Sequence, residues 1–374
     1  MLQKLKKQLS LTAQAFLGQR IQPKVVVFES DDWGGIRMPS AEIYRSLSQK
    51  MPMIKADRFS KFDHLASADD LSALFEVLQK HKDSRGKPAI FTFNVTTANP
   101  DFNEILHHNF ERYFVEPFHQ TILREQPGAL SLWNDGFFAG LYRPQFHGRD
   151  HIHQQRWLFH LANGNSAVRE AFNHRTYGFD NTFDGTEYLL AAYDYPAAED
   201  TSIWKASIDH GLQIFEDFFE FVPKSFIPPC YIAPKQLVSY LQTKGVDTLQ
   251  GKLYSFEPAG ITSGKRNYHK KIRKAGFDAK TGQTNIVRNC FFEPSRGKAD
   301  WWVADCLARI EVAFKWGKPA VIDTHRVNYI GSLVEGNRKE NLMLLDQLLA
   351  KIKSKWPDVQ FMSSDELAQL YKGN

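Results

Sequence analysis

The sequence predicts an α/β fold, a single barrel of parallel strands with helices between them, on three observations. Apolar runs of strand length recur along the whole chain, helical periodicities fall between them, and Val, Ile and Phe occupy both faces of the runs, as in sheets buried on both sides. Strand and helix alternate through 374 residues without a long linker, repeat or low-complexity segment. That alternation favours one (β/α) barrel with loop insertions over two domains.

The strand runs are 24–30 (KVVVFES), 88–95 (PAIFTFNV), 140–146 (GLYRPQF), 224–232 (KSFIPPCYI), 285–292 (NIVRNCFF), 319–323 (PAVID) and 359–362 (VQFM). Helical patterns follow at 69–82, 118–125, 150–162, 187–192, 201–221, 235–244, 301–316 and 337–355. Ser363-Ser364-Asp365-Glu366 reads as the N-cap of a last helix ending near Lys372. The longest insertions are 34–68, 100–134 and 250–280. Leu2, Leu5, Leu9, Leu11, Phe16 and Leu17 make a basic amphipathic pattern at the start of the chain. The expected organisation is therefore a helix over 1–20 docked on one barrel domain over 21–374, with peripheral membrane contact as the alternative.

Composition narrows the function. Lys and Arg total 47 against 42 Asp and Glu, a net +5 scattered along the chain, which disfavours a groove for nucleic acid. No apolar run approaches the ~20 residues that span a bilayer, and the interrupted N-terminal stretch is a poor signal peptide. Cys230, Cys290 and Cys306 form no C-x-x-C pair and leave an odd thiol, so a reducing, cytoplasmic setting is expected. Aromatic content is 13%, with 29 Phe, which first reads as core.

In a (β/α) barrel, chemistry sits at the C-terminal ends of strands. The first strand runs into Asp31-Asp32 and then Trp33, and two adjacent carboxylates at a barrel mouth repel unless they share a cation or a proton. A capping Asp beside an exposed one is the plain alternative. The third strand ends in His147-Gly148-Arg149-Asp150-His151, and four of 13 histidines fall within 147–160. The i, i+4 spacing would set His147 and His151 on one helical face about 6 Å apart, suited to one divalent ion. Near the end, Asp323-Thr324-His325-Arg326 puts a histidine at a strand terminus, with Asp323 on the same face to orient it. One Asp and two His make a three-ligand cation site with open positions for water. The remaining Asp and His supply a base and an acid.

This order of motifs resembles the polysaccharide deacetylases, the metal-dependent carbohydrate esterases of family four. Their distorted (β/α) barrel, of about seven to eight parallel strands, carries in order an Asp-Asp, an H-x-x-x-H, a Pro-rich aromatic motif, an Asp-Trp and a Leu-His. Asp31-Asp32, His147 to His151, Pro228-Pro229-Cys230-Tyr231, Asp300-Trp301 and Thr324-His325 occur here in that order, and the closing VQFMSSDELAQLYK also looks like the family's last strand and helix. The resemblance extends from about Lys24 to Tyr371 and implies a metal held by Asp32, His147 and His151. Zinc is the first candidate, with cobalt, nickel or iron as alternatives. Asp31 would be the base toward the attacking water and His325 the acid toward the leaving group, with backbone near Tyr231 binding the oxyanion.

The departures are Glu29-Ser30 before the pair, Trp33 where a Gly is usual, and no Arg opening the Pro-rich motif. Arg149, Arg326 and Arg37 are the candidates to replace that Arg. Trp33, Tyr231, Arg149, Asp323 and Arg326 are the expected substrate-binding residues, with Trp33, Tyr231, Trp301 and Trp302 rimming a sugar-sized cleft.

The expected activity is removal of an acetyl or other acyl group from a sugar or polysaccharide precursor. A glycan-binding pseudoenzyme and a hydrolase of a non-sugar C–N bond are the alternatives. A glycoside hydrolase is disfavoured, because adjacent carboxylates do not flank a glycosidic bond. The expected partner is a carbohydrate, with no nucleic acid and no membrane span; oligomeric state is left open.

Overall fold

Nine strands carry the architecture: β1 (Val25–Trp33), β2 (Phe91–Val95), β3 (Tyr142–Phe146), β4 (Ser225–Phe226), β5 (Thr248–Gly251), β6 (Gln283–Val287), β7 (Cys290–Phe291), β8 (Ala320–His325) and β9 (Gln360–Phe361). The computed structural model describes residues 17–177, 188–196, 199, 201–263, 265–297 and 299–373. Pairing is parallel from β8 to β1, β2, β3, β4, β5 and β6 in turn. Arg288 and Asn289 follow β6, and β7 then pairs in parallel with β8. One stretch of chain, 283–291, thus meets β5 with its first half and β8 with its second, so the path of pairing returns to its start. β9 fills the lower edge of β1, opposite Val25 and Val26, before β2 takes over at Phe28.

The two faces of this sheet differ. Outward residues are apolar and aromatic: Phe28 stacks on Phe91 at 4.9 Å and Phe93 on Tyr142 at 4.3 Å between ring centroids. They share one core with the helices Ala68–Lys80, Ala129–Phe138, Ser202–Phe219, Ala299–Lys315 and Glu335–Lys355. Each such side chain contributes about 1.5–3 kcal/mol by leaving water.

Inward residues are apolar only at the bottom. Val25, Val27, Ile286 and Val321 are closed off there by Met362, just after β9, and by Leu367 and Tyr371 of the final helix Ser364–Gly373. Above this plug the interior is polar. Asn94 Nδ2 donates to Gln250 Oε1 (2.7 Å), Gln250 Nε2 to Ser225 Oγ (2.7 Å), and Ser225 Oγ to Gln145 Oε1 (2.9 Å). This buried polar layer is only partly self-satisfied: Asn94 Oδ1 and Gln145 Nε2 have no hydrogen-bond partner among the described residues.

The α/β class and the parallel order agree with expectation, and most elements lie within a few residues of their expected bounds. Three readings need correction. The helical pattern at 187–192 forms turns in its described residues, because Leu189 and Leu190 pack into a separate apolar cluster with Phe102, Ile105 and Trp157 while Ala192 joins the main core. The insertion 250–280 is no loop: it holds the antiparallel hairpin Tyr254–Thr262 and Lys265–Ile272, pinned by Tyr268 Oη donating to Asp194 (3.0 Å). β5 has the sequence TLQG, too polar to stand out as a strand, because Gln250 belongs to the polar interior. Of the helix expected over 1–20, residues 1–16 lie outside the described residues. No described helix is long and apolar enough to cross a membrane.

Candidate metal centre

Adjacent strand residues point to opposite faces, so plain alternation would separate Asp31 from Asp32. Here β1 departs from regular geometry. Asp32 has φ 73°, and the pairing with β2 slips between Ser30 and Trp33. Both carboxylates therefore line one cavity of about 720 Å³ at the top of the barrel. A left-handed non-Gly residue costs about 1–3 kcal/mol, and such strain persists where surrounding structure fixes it.

His147 follows β3 directly and His151 comes four residues later, before the helix Gln154–Ala162. The two rings converge, 5.3 Å between centroids, through a loop and not along one helical face. Gly148 makes the loop. It has φ +87°, and a Cβ there would sit 2.7 Å from the Tyr193 hydroxyl.

His147 Nδ1 donates to the Ile227 carbonyl (2.8 Å), which fixes the tautomer and leaves the Nε2 lone pair facing Asp32. His147 Nε2 and His151 Nε2 stand 3.5 and 3.8 Å from Asp32 Oδ1. The three ligand atoms lie within 4.8 Å of one another. These separations are too long for hydrogen bonds. They match the ~3.4 Å expected between tetrahedral ligands each about 2.0–2.2 Å from a common ion.

The charges suit a cation. Burial opposes ionisation of Asp32, but Arg37 (3.1 Å), with His147 beside it, holds its pKa well below the usual carboxylate range. Burial and the Arg37 charge push the His151 pKa down to about 3, so the imidazole is neutral, the form that binds metal.

Behind Asp31 stands Arg288, fully buried between β6 and β7. Its Nη1 and Nη2 donate to the two Asp31 oxygens (2.7 and 2.6 Å), Nη1 also to Asp323 Oδ1 (2.6 Å), and Nε to Glu29 Oε2 (2.6 Å). Asn94 Nδ2 gives Asp31 a further bond (2.8 Å). Burial alone would raise the Asp31 pKa, yet Arg288 keeps it lowered, so the carboxylate is ionised and fixed in direction. Burial lifts Glu29 to about 7 despite the same guanidinium. Asp31, Asp323 and His325 form a second group of converging ligand atoms, but Arg288 already supplies the cation there.

His325 Nε2 points toward Asp31 Oδ2 (3.8 Å), as their opposed positions in β8 and β1 dictate. Its Nδ1 is hydrogen-bonded to Glu293. Burial acts to lower the His325 pKa, and Glu293 reverses this to a net rise, which favours the imidazolium.

No protein-family model and no curated protein matches the chain. Among solved structures, it is similar to a probable polysaccharide deacetylase from Pseudomonas aeruginosa PAO1, with 9% identity and a TM-score of 0.47 over 94% of this chain and 91% of that one. It is also similar to PuuE allantoinase, with 10% identity and a TM-score of 0.45 over 94% and 90% of the two chains. A third is a family 4 acetyl xylan esterase from Clostridium thermocellum, with 12% identity and a TM-score of 0.35 over 93% and 91%.

The cavity brings together Asp31, Asp32, His147, His151, Tyr231 and His325. Other expected site residues lie elsewhere. Trp33 is in the core, stacked on Phe93 at 3.5 Å with its Nε1 donating to Ser30 Oγ (2.9 Å), because the slip that brings Asp32 to the mouth sends Trp33 toward the helices. Arg149 pairs with Asp150 (2.9 Å) and Gln154 (2.9 Å) outside the cavity lining. Arg326 forks onto Asp63 (3.0 and 2.9 Å) and braces the insertion after β1. Asp323 bonds Arg288 and not His325; that place belongs to Glu293. Trp301 and Trp302 lie on the helix Ala299–Lys315 outside the cavity lining, and the Asp300 side chain is outside the described residues. The aromatic lining consists of Phe59, Phe62, Tyr188 and Tyr231.

The Arg facing Asp31 is thus Arg288, neither Arg149, Arg326 nor Arg37. Its signal was present: a lone Arg inside the apolar run NIVRNCFF is a buried charge that needs a partner. Glu293, just beyond that run, carried no local signal.

Proposed function

We propose that this chain is a metal-dependent hydrolase that removes an acetyl or other acyl group from a sugar or glycan precursor, as its likeness to the polysaccharide deacetylases implies. The observation that carries the reading is the convergence, at one cavity, of a three-ligand Asp-His-His group, an ionised carboxylate and a histidine with a raised pKa.

Asp32, His147 and His151 would hold a divalent ion, zinc first among the candidates. When bound, such an ion lowers the pKa of water and polarises the acyl carbonyl. Asp31, kept ionised and aimed by Arg288 and Asn94, accepts a proton from the attacking water. His325, charged through Glu293, gives a proton to the departing amine or alcohol. Tyr231 lines the cavity at φ 60° after Cys230 at φ 56°, but its backbone N–H is given to the Pro228 carbonyl (2.9 Å) and does not serve as an oxyanion donor in this conformation.

The test is acetate release from a panel of N- and O-acetylated sugars before and after chelation, with zinc, cobalt or nickel added back. Release that chelation abolishes and metal restores is expected. No release from any acetylated sugar by metal-loaded protein would overturn the assignment.

A further inference from the structure

The insertion after β1 forms one wall of the cavity. Its short helices Pro52–Ala56 and Arg58–Phe62 carry Lys55 and Lys61 into the lining, and Arg296 enters it from the turn Pro294–Arg296. All three side chains are exposed, and among the described residues none of them is in an ion pair.

The other charges of that wall are matched. Arg37 faces Asp32 (3.1 Å) and Arg58 faces Glu293 (2.6 Å). Asp57 caps its helix, accepting from the backbone N–H groups of Phe59 and Ser60 (3.2 and 2.8 Å). Three cations outside any described ion pair, one of them (Lys61) over the Phe62 ring at 4.8 Å, stand out at one cavity in a chain with 47 basic and 42 acidic residues, where surface charges ordinarily intersperse. Phe59 lies beside them, its ring centroid 5.5 Å from that of His325. The Arg58 and Arg37 guanidinium groups lie over the same ring, 4.4 and 5.3 Å from its centroid, so Phe59 ties the cationic wall to His325.

We propose that the substrate is an anionic acylated sugar, whose phosphoryl or carboxylate group binds against Lys55, Lys61 and Arg296 while its acyl group lies over Asp32. The inference rests on reading the centre as a deacylating one, and it adds the charge of the substrate. Lysine and arginine bind either anion by charge-assisted hydrogen bonds.

Calorimetric titration with N-acetylglucosamine, its 1- and 6-phosphates and the corresponding uronic acid tests it, alongside acetate release from the same four sugars. At least one anionic sugar should bind about tenfold or more tighter than the neutral one, with the gain shrinking in salt. A phosphate preference and a uronate preference identify the two sources of charge. The gain should disappear in the triple variant Lys55→Gln, Lys61→Gln, Arg296→Gln, whose fold is checked by its melting curve. Equal affinity for all four sugars, absence of binding by every anionic sugar, or a preference surviving in the folded triple variant overturns the proposal. Metal-dependent release indifferent to charge rejects only this inference. Charge-dependent binding without release from any acetylated sugar rejects only the hydrolase reading.

Discussion

Arg288 grips both carboxylate oxygens of Asp31, at 2.6 and 2.7 Å, from a position 257 residues further along the chain. The same guanidinium bonds Glu29 and Asp323, the latter also paired with Lys252 (3.2 Å), so three buried carboxylates share it. Arg288→Met should therefore destabilise the protein by about 3–5 kcal/mol, read from urea unfolding. The Asp31 part has a defined sign: its folded pKa is lowered, so this stabilisation is present above the unfolded value of about 3.9 and is lost as pH falls through the folded one. A loss below about 1 kcal/mol at neutral pH would contradict the argument.

Asp31→Asn keeps the shape of the side chain, and Arg288 retains two other carboxylates. Turnover should fall about a hundredfold to ten-thousandfold with metal content unchanged. Full activity in that variant would remove Asp31 from the base role.

The two groups of converging ligands make different predictions for metal content by mass spectrometry. Ala at Asp32, His147 or His151 should strip the ion. Asp323→Asn should leave it bound, because Arg288 already occupies the second group. The reverse pattern would relocate the centre.

Glu293→Gln should shift the pH profile of kcat. The folded pKa of His325 is raised, so its imidazolium is lost only as pH rises through that higher value. Without the Glu293 charge that pKa drops, and the alkaline limb should move to lower pH. An unmoved alkaline limb would mean that His325 is not the proton donor.

Trp33 is 1% exposed and packs on Phe93 and Trp133. Trp33→Ala should cost about 3–5 kcal/mol in stability, with KM changed little in whatever folded protein remains. A large KM effect at unchanged stability would return this residue to the cleft.

Much of the candidate centre was legible in the sequence. Asp31, Asp32, His147 and His325 stand at the ends of apolar runs, with His151 four residues beyond His147, and a polar residue at the end of a buried strand faces the mouth of a barrel. Their order along the chain carried the resemblance. The polar interior was also written there, as Glu29, Asn94, Gln145 and Arg288 inside runs otherwise fit for burial, but partners could not be assigned to them. The opposition of Asp31 to His325 follows from the register of β1 against β8.

The sequence by itself determined the alternation of strands and helices and the residues at the strand ends, because local periodicity and residue type encode both. Tertiary structure alone decided that 283–291 closes the ring of strands, that Arg288 serves Asp31, and that Glu293, not Asp323, holds His325. It also decided that one positive φ at Asp32 sends that carboxylate to the mouth and Trp33 into the core. These are matters of register and side-chain direction between segments far apart in the chain, and a local pattern contains neither.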